Sequence, residues 1–438
     1  MSTAPPETTP EPTRDPTPDR VTADESRAAL VRLVLIVAAG VIAGVVAGIG
    51  NTLLVIFALV AMIMLHELGH FATAKWGGMK VTQYFLGFGP RLWSIRRGET
   101  EYGVKAIPAG GYVKIIGMNN LEEVDPADEP RTYRQAPYRW RLAVGLAGST
   151  MHFLLALVLL FALYSAVGLP NFNRPTTRVD QVLALASGES PAQRAGFHVG
   201  DVIVAVDGQP VHSWTDMTNY VKARPGQTVA VTVRRGGHLV TLNPTTVDLS
   251  KVDIKNFQGT ARPTQPTGFI GISAAPTIER GSPLTAAGRS VVGLVRTIRG
   301  SVSGLIHLFS PTGLNHYANA LSSGKSGSSQ TQTDRPVGIV GAVSVASQFT
   351  GTEGFRGFLL IFIQIDIFIG VFNLLPVLPF DGGHVAIATY ERIRSRGRRY
   401  YADAAKMMPV MYAVLLLVML IFVTTNYLDI THPVHATP

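Results

Sequence analysis

Residues 66–70 read His66-Glu67-Leu68-Gly69-His70, two imidazoles four positions apart with a carboxylate beside the first. On a helix that spacing puts both rings on one face, one turn apart, where two nitrogens can reach a single zinc ion. A carboxylate in the place of Glu67 can take the proton of a metal-activated water and later hand it to a leaving amine. The pentad lies inside a long apolar stretch, and ionisable side chains there are costly and functional by default.

A catalytic zinc needs a third protein ligand and one open position. The three-histidine extension of the motif fails, because Thr73 and Trp76 stand where it requires Gly and His. Glu99 and Glu101 lie in a turn-rich stretch between Gly98 and Gly103, so the ligand comes from farther along the chain. The run Asn373-Leu374-Leu375-Pro376-Val377-Leu378-Pro379-Phe380-Asp381-Gly382-Gly383-His384 offers Asp381, an acid in an apolar setting that needs a partner. Zinc, one carboxylate and one hydroxide sum to zero charge, the cheapest state in hydrocarbon. Depth agrees: His66 precedes Lys75, and Asp381 precedes Arg392, by stretches that correspond to roughly 15 Å of helix. Pro376 and Pro379 forbid a continuous helix, and such irregular backbone is tolerated at membrane depth only when buried in protein or lining a wet cavity. His384 is the alternative ligand, otherwise a capping or outer residue of the site; the plainer reading of the run is a kinked helix beside a structural Asp.

These residues need elements that hold them in a bilayer. Of 438 residues, 47% are hydrophobic and only 15% charged, and the apolar ones are gathered into blocks, the profile of a membrane protein. The formal charge of +9 comes from Lys and Arg flanking those blocks rather than from a stripe that could track nucleic acid. With no cysteine, disulfides, a zinc ribbon and a thiol nucleophile are all excluded. Five apolar blocks, at 33–50, 52–74, 142–169, 358–380 and 407–423, predict five spans, the Gly-rich first one being either a full span or a re-entrant helix. Residues 1–27 are Pro-, Thr- and acid-rich and read as a disordered tail, with no secretory leader. The basic loop from Lys75 to Arg141 and the cluster Arg392, Arg394, Arg396, Arg398 and Arg399 belong on the cytoplasmic side. A multi-pass protein of the cell membrane follows, with its N-terminal tail inside and its long central region outside.

The pentad, the Asn-Leu-Leu-Pro run ending in Phe-Asp-Gly-Gly-His and the order of spans resemble the site-2 protease family of intramembrane zinc metalloproteases, in its bacterial PDZ-containing form. The resemblance implies zinc ligands at His66, His70 and Asp381, a general base at Glu67, and a substrate contact at Asn373. Residues 103–117, with Ala109, Gly110 and Gly111 as the turn, resemble the membrane-dipping β-hairpin of that family, which implies that Gly110, Gly111 and Tyr112 meet substrate. A substrate helix must unwind to expose its scissile carbonyl, and a strand edge can hold the unwound backbone; a cytoplasmic hairpin without such a role is the alternative. The chain departs from the family on the third block, where Gly148-Ser149-Thr150-Met151-His152 replaces Gly-Pro-x-x-Asn. His152 either takes over the contact of that Asn or is simply buried.

Residues 178–250 carry short β-branched runs, a helical stretch near Trp214 and Gly-Asp and Asp-Gly turns, and the segment from Ser190 to Gly208 resembles bacterial PDZ domains. Such a domain binds an extended peptide as an added strand, or acts as a steric plug. Within 251–356, residues 284–309 form an amphipathic helix for the outer membrane surface, a core helix being the alternative, and 322–333 a flexible linker. The predicted fold is a polytopic α-helical membrane protein with an inserted extracytoplasmic PDZ-like α+β domain: membrane parts at 28–169 and 357–428, the insert at 178–250 and a C-terminal tail at 429–438. The resemblance implies cleavage of single-span membrane proteins of the anti-sigma-factor kind, with lipid and a peptide ligand of the PDZ domain as further partners and no nucleic acid. The rivals are an inactive membrane PDZ scaffold, which gives Glu67 no purpose, and a metal transporter, which requires more intramembrane acids than the one further example, Asp366.

Overall fold

The structure is a computed structural model and describes residues 23–118, 122–254, 263–323, 336–395 and 400–433. Most of the predicted N-terminal tail, nearly all of the 322–333 linker, Arg396, Arg398, Arg399 and the last residues of the C-terminal tail lie outside these. The chain forms two compact units, residues 1–162 with 287–438 and residues 163–286.

In the first unit, α1 (Ala23–Val46), α2 (Gly50–Trp76), α3 (Tyr138–Ala162), α8 (Ile339–Asn373) and α10 (Ala404–Thr431) contain five stretches long and apolar enough to cross a membrane. The remaining helices in chain order are α4 and α5 in the second unit, α6 (Pro283–Leu308), α7 (Pro311–Ser323) and α9 (Asp381–Arg394). Helix α1 starts inside the segment predicted to be disordered, and its apolar residues, such as Leu35, Ile36 and Ile42, are exposed, as suits side chains whose solvent is lipid. Helices α2, α3 and α8 instead pack on one another and bury Met62, Val144, Ala147, Leu359, Phe362 and Ile367. Small residues set their spacing: a Cβ at Gly69 would stand 2.7 Å from the Ala147 carbonyl oxygen, and one at Gly370 would stand 2.8 Å from the Cβ of His152.

Helix α8 corrects the boundary expected near residue 357. It begins at Ile339, inside the 251–356 region and after the stretch read as linker, and is broken at Gly354, where φ is +62°. Ser, Gly and Thr residues dilute the apolar signal of its first part, so only the part after Gly354 was legible as a span. Along α6, Val291, Val292, Val295, Val302 and Ile306 are exposed, an apolar surface without a protein partner among the described residues.

Strands β1 (Val81–Arg97) and β2 (Thr100–Ile115) form a sheet whose register corrects the predicted hairpin at 103–117. The tight turn falls at Gly98 and Glu99. Tyr84 pairs with Tyr102 on one side and with Val113 on the other, and Leu86 likewise with Val104 and Gly111. The two halves of β2 therefore flank β1 instead of pairing with each other, and residues 111–115 are an edge. A Gly-Gly pair is a sound local turn signal, but here the inserted β1 separates the arms it joins. Tyr84 Oη donates to the Met64 carbonyl at 2.8 Å, which fixes the sheet on α2 just before the pentad. Glu99 in the turn accepts from Arg131, at 2.7 and 2.9 Å, and from Lys75 at the end of α2; the Arg131 bonds foremost hold its carboxyl down to about 2.

The second unit is an antiparallel sheet in the order β10-β3-β4-β6-β7, with β5 beside β4 and a small β8–β9 pair. Its strands are β3 (Leu169–Val182), β4 (Val202–Val206), β5 (Gln209–Pro210), β6 (Val231–Arg235), β7 (His238–Leu242), β8 (Val247–Asp248), β9 (Gly268–Phe269) and β10 (Ile272–Glu279); its helices are α4 (Pro191–Ala195) and α5 (Trp214–Lys222). Val179, Phe197, Ile203, Met217, Val231 and Ile272 share its core. The predicted boundary of 178–250 was too narrow: β10 arrives from beyond it and pairs with β3 from Ile272–Val182 to Glu279–Leu169. Pro276 weakens the strand signal of β10, and it is accommodated because β10 is an edge.

Candidate active site

The pentad is helical as expected, so His66 and His70 project from one face of α2. His70 Nδ1 lies 2.8 Å from the Val144 carbonyl oxygen on α3. A carbonyl only accepts, so Nδ1 carries the proton and the Nε2 lone pair is free to bind a cation. That Nε2 is 3.2 Å from His66 Nε2, and Asp381 Oδ2 lies 3.2 Å from the one and 3.4 Å from the other.

This triangle fits a metal. Ligand atoms in tetrahedral geometry at about 2.0–2.1 Å from zinc stand about 3.3 Å from one another. Asp381 Oδ2 is also buried without a hydrogen-bond partner, which a cation among the three would remedy. Among the described residues these three are the one group of His, Asp and Glu with converging ligand atoms.

Helix α9 begins at Asp381, after a non-helical stretch that includes Pro376 and Pro379, so the carboxylate enters at a helix N-terminus. Gly382 and Gly383 let that stretch fold back closely, since a Cβ on the first would stand 2.2 Å from the Leu374 carbonyl oxygen and one on the second 2.6 Å from Leu378 N. Gly148 brings α3 against both imidazoles: a Cβ there would lie 2.3 Å from His66 Cε1 and 2.5 Å from His70 Nε2. Gly148→Ala is therefore expected to displace a ligand and weaken zinc about 10–100-fold, the size of losing an outer-shell partner, in competition with a chelator. Gly145→Ala, which crowds the Val385 side chain at 2.7 Å and meets the Asp381 carbonyl oxygen only at 3.6 Å, without touching either imidazole, is its milder control. Equal affinities for the two variants would refute the close approach.

Glu67 stands outside the triangle and beside the sheet edge. Its carboxylate lies near the Val113 backbone, and a Cβ on Gly111 would stand 3.2 Å from its Cγ. Tyr112 is held within the sheet, stacked between Phe85 and Phe88 at 5.8 and 5.9 Å, with its hydroxyl donating to Gln83 at 2.9 Å. Gly110 packs on Phe88. Asn373 is the last residue of α8, half-buried. His384 does not join the triangle; its ring meets Tyr133 edge-on at 6.3 Å.

Sequence reasoning missed the Val144 carbonyl, which no side-chain pattern signals, and the pairing of His152 with Asp366, whose Nδ1 and Oδ1 are 2.6 Å apart. Two ionisable residues on separate spans were the available sign of that pairing. Their bond also engages Asp366, the further acid weighed for a transport path.

A family model described as peptidase family M50 matches residues 54–419. The zinc metalloprotease Rip1 of Mycobacterium tuberculosis is 36% identical over 408 residues, 87% of this chain and 98% of that protein. Rip1 of Mycolicibacterium smegmatis is 34% identical over 414 residues, 88% and 98% of the two chains. Among solved structures, the PDZ domain of an SdrC-like protein from Listeria monocytogenes aligns with 22% of this chain and 87% of its own, at 19% identity and a TM-score of 0.17.

Proposed function

The chain belongs to peptidase family M50, and from that premise we propose that it hydrolyses peptide bonds within or near the membrane span of single-span proteins, with one zinc ion on His66, His70 and Asp381. It is a zinc metalloprotease and a multi-pass membrane protein. The observation that carries the finer reading is the 3.2–3.4 Å triangle of ligand atoms with Glu67 next to it and outside it.

A bound zinc ion supplies an acidified water and an electrophile for the scissile carbonyl. Glu67 takes the proton of the attacking water as the new C–O bond forms, and returns it to the amine nitrogen as the C–N bond breaks. The edge at residues 111–115 has no second strand partner among the described residues. An unwound substrate segment can pair there and regain the backbone bonds its helix lost. The edge passes beside Glu67, since a Cβ on Gly111 would stand 3.2 Å from its Cγ. Asn373 is assigned a substrate contact by the resemblance described above, which also points to regulated proteolysis of an anti-sigma-factor-like protein.

The test is cleavage of a single-span reporter by purified protein in vesicles. Cutting should stop on chelation, return with stoichiometric zinc, and spare the same segment fused to a soluble protein; cutting that persists after full zinc removal would overturn the reading. The second unit, assigned to the outer side by the distribution of basic residues, filters substrates by size or binds a peptide along the free edge of β10. Replacing Leu163–Ala286 by a flexible linker should let the enzyme cut reporters that keep a bulky outer domain, whereas unaltered selectivity favours peptide binding.

A further inference from the structure

His152 and Asp366 are an ionisable pair that the chemistry above does not use. His152 is 2% exposed and Asp366 0%, on α3 and α8 respectively. Their 2.6 Å bond crosses the interface where Gly370, one turn beyond Asp366, abuts the Cβ of His152. If this contact served only to hold two spans together, apolar side chains of similar volume would do so at least as well, because both polar groups lose their hydration.

Position gives the pair a different use. His152 follows Gly148 by one helical turn, so it faces the same neighbour, and its ring centroid lies 5.0 Å from that of His66 with the planes tilted by 48°. The two histidines of the triangle are held differently. His70 is fixed by the bond from its Nδ1 to the Val144 carbonyl, whereas His66 Nδ1 nears the Gly148 backbone without completing a hydrogen bond. A metal-binding imidazole normally has its other nitrogen tied down. The orientation of His66 therefore depends on what packs against the ring, and His152, locked by Asp366, does so.

We infer that His152 and Asp366 form a positioning pair that sets the ring of His66 for zinc, at a histidine whose Nδ1 takes no hydrogen bond from the described residues. The inference rests on His66 being a zinc ligand, so the wild type is measured first; a wild type without zinc would overturn both readings. The variants are His152→Phe, Asp366→Leu, Asp366→Asn and the double variant His152→Leu with Asp366→Leu. The double variant leaves neither member of the pair behind without the other and keeps the test open where a single variant unfolds.

Zinc affinity is read by competition with a chelator, and site geometry by the visible absorption of the cobalt-substituted protein. His152→Phe, Asp366→Leu and the double variant should bind zinc about 10–100-fold more weakly and alter the cobalt spectrum. Asp366→Asn, whose amide oxygen still accepts from His152 Nδ1, should recover most of the affinity and the wild-type spectrum. Affinity within about twofold of wild type in every folded variant, with an unchanged spectrum and only the thermal midpoint moved, would reduce the pair to a link between helices and overturn the inference.

Discussion

Glu67→Gln is expected to hold zinc like the wild type and to cleave a single-span reporter about 10²–10⁴-fold more slowly, the usual loss for a removed general base. The separation of the two effects follows from geometry. The three converging ligand atoms belong to His66, His70 and Asp381, and Glu67 is not among them. Gln keeps the volume against Gly111, and its amide oxygen remains an acceptor. What it lacks is a site that takes a proton from water at neutral pH. A membrane scaffold would cut nothing in either form, and a transporter would change its metal flux. Cleavage by Glu67→Gln at close to the wild-type rate, with contaminating proteases excluded by zinc removal, would refute the assignment of the base.

The convergence of His66, His70 and Asp381 was legible because each half of the group is local. The pentad needs only helical periodicity, and Asp381 was singled out by the cost of an acid in an apolar run. What escaped the sequence depends on contacts between distant elements. The Val144 carbonyl is a backbone group that any residue could present, and its role appears only once α3 crosses α2. The sheet was misread because Gly110 and Gly111 carry a strong turn signal, while the register that inserts β1 between the arms of β2 involves residues up to 34 positions apart, as in Val81 with Ile115. Strand β10 escaped for the same reason: Gly271 and Leu183 are joined by a backbone bond that local pattern cannot anticipate, and Pro276 argues against a strand until its edge position is known.

Asp381→Ala is expected to lose zinc and activity together, and by more than the roughly 10–100-fold that removal of an outer-shell partner costs. Two neutral imidazoles would remain, with their Nε2 atoms 3.2 Å apart and no negative charge beside the cation. In an apolar surrounding the carboxylate does more than complete the coordination, because it lowers the net charge that the spans must bury. Asp381→Asn separates these contributions: its amide oxygen retains a weak donor at the same place, so some zinc should stay bound at high concentration while the charge is gone. Metal content of purified protein, measured alongside reporter cleavage, checks both variants. His384 is the residue to examine if Asp381→Ala keeps a full equivalent of zinc and cuts normally, for it lies one turn along α9 from Asp381. In the structure it packs against Tyr133 and stays out of the triangle, so Asp381 is the side chain through which α9 closes the site that α2 opens.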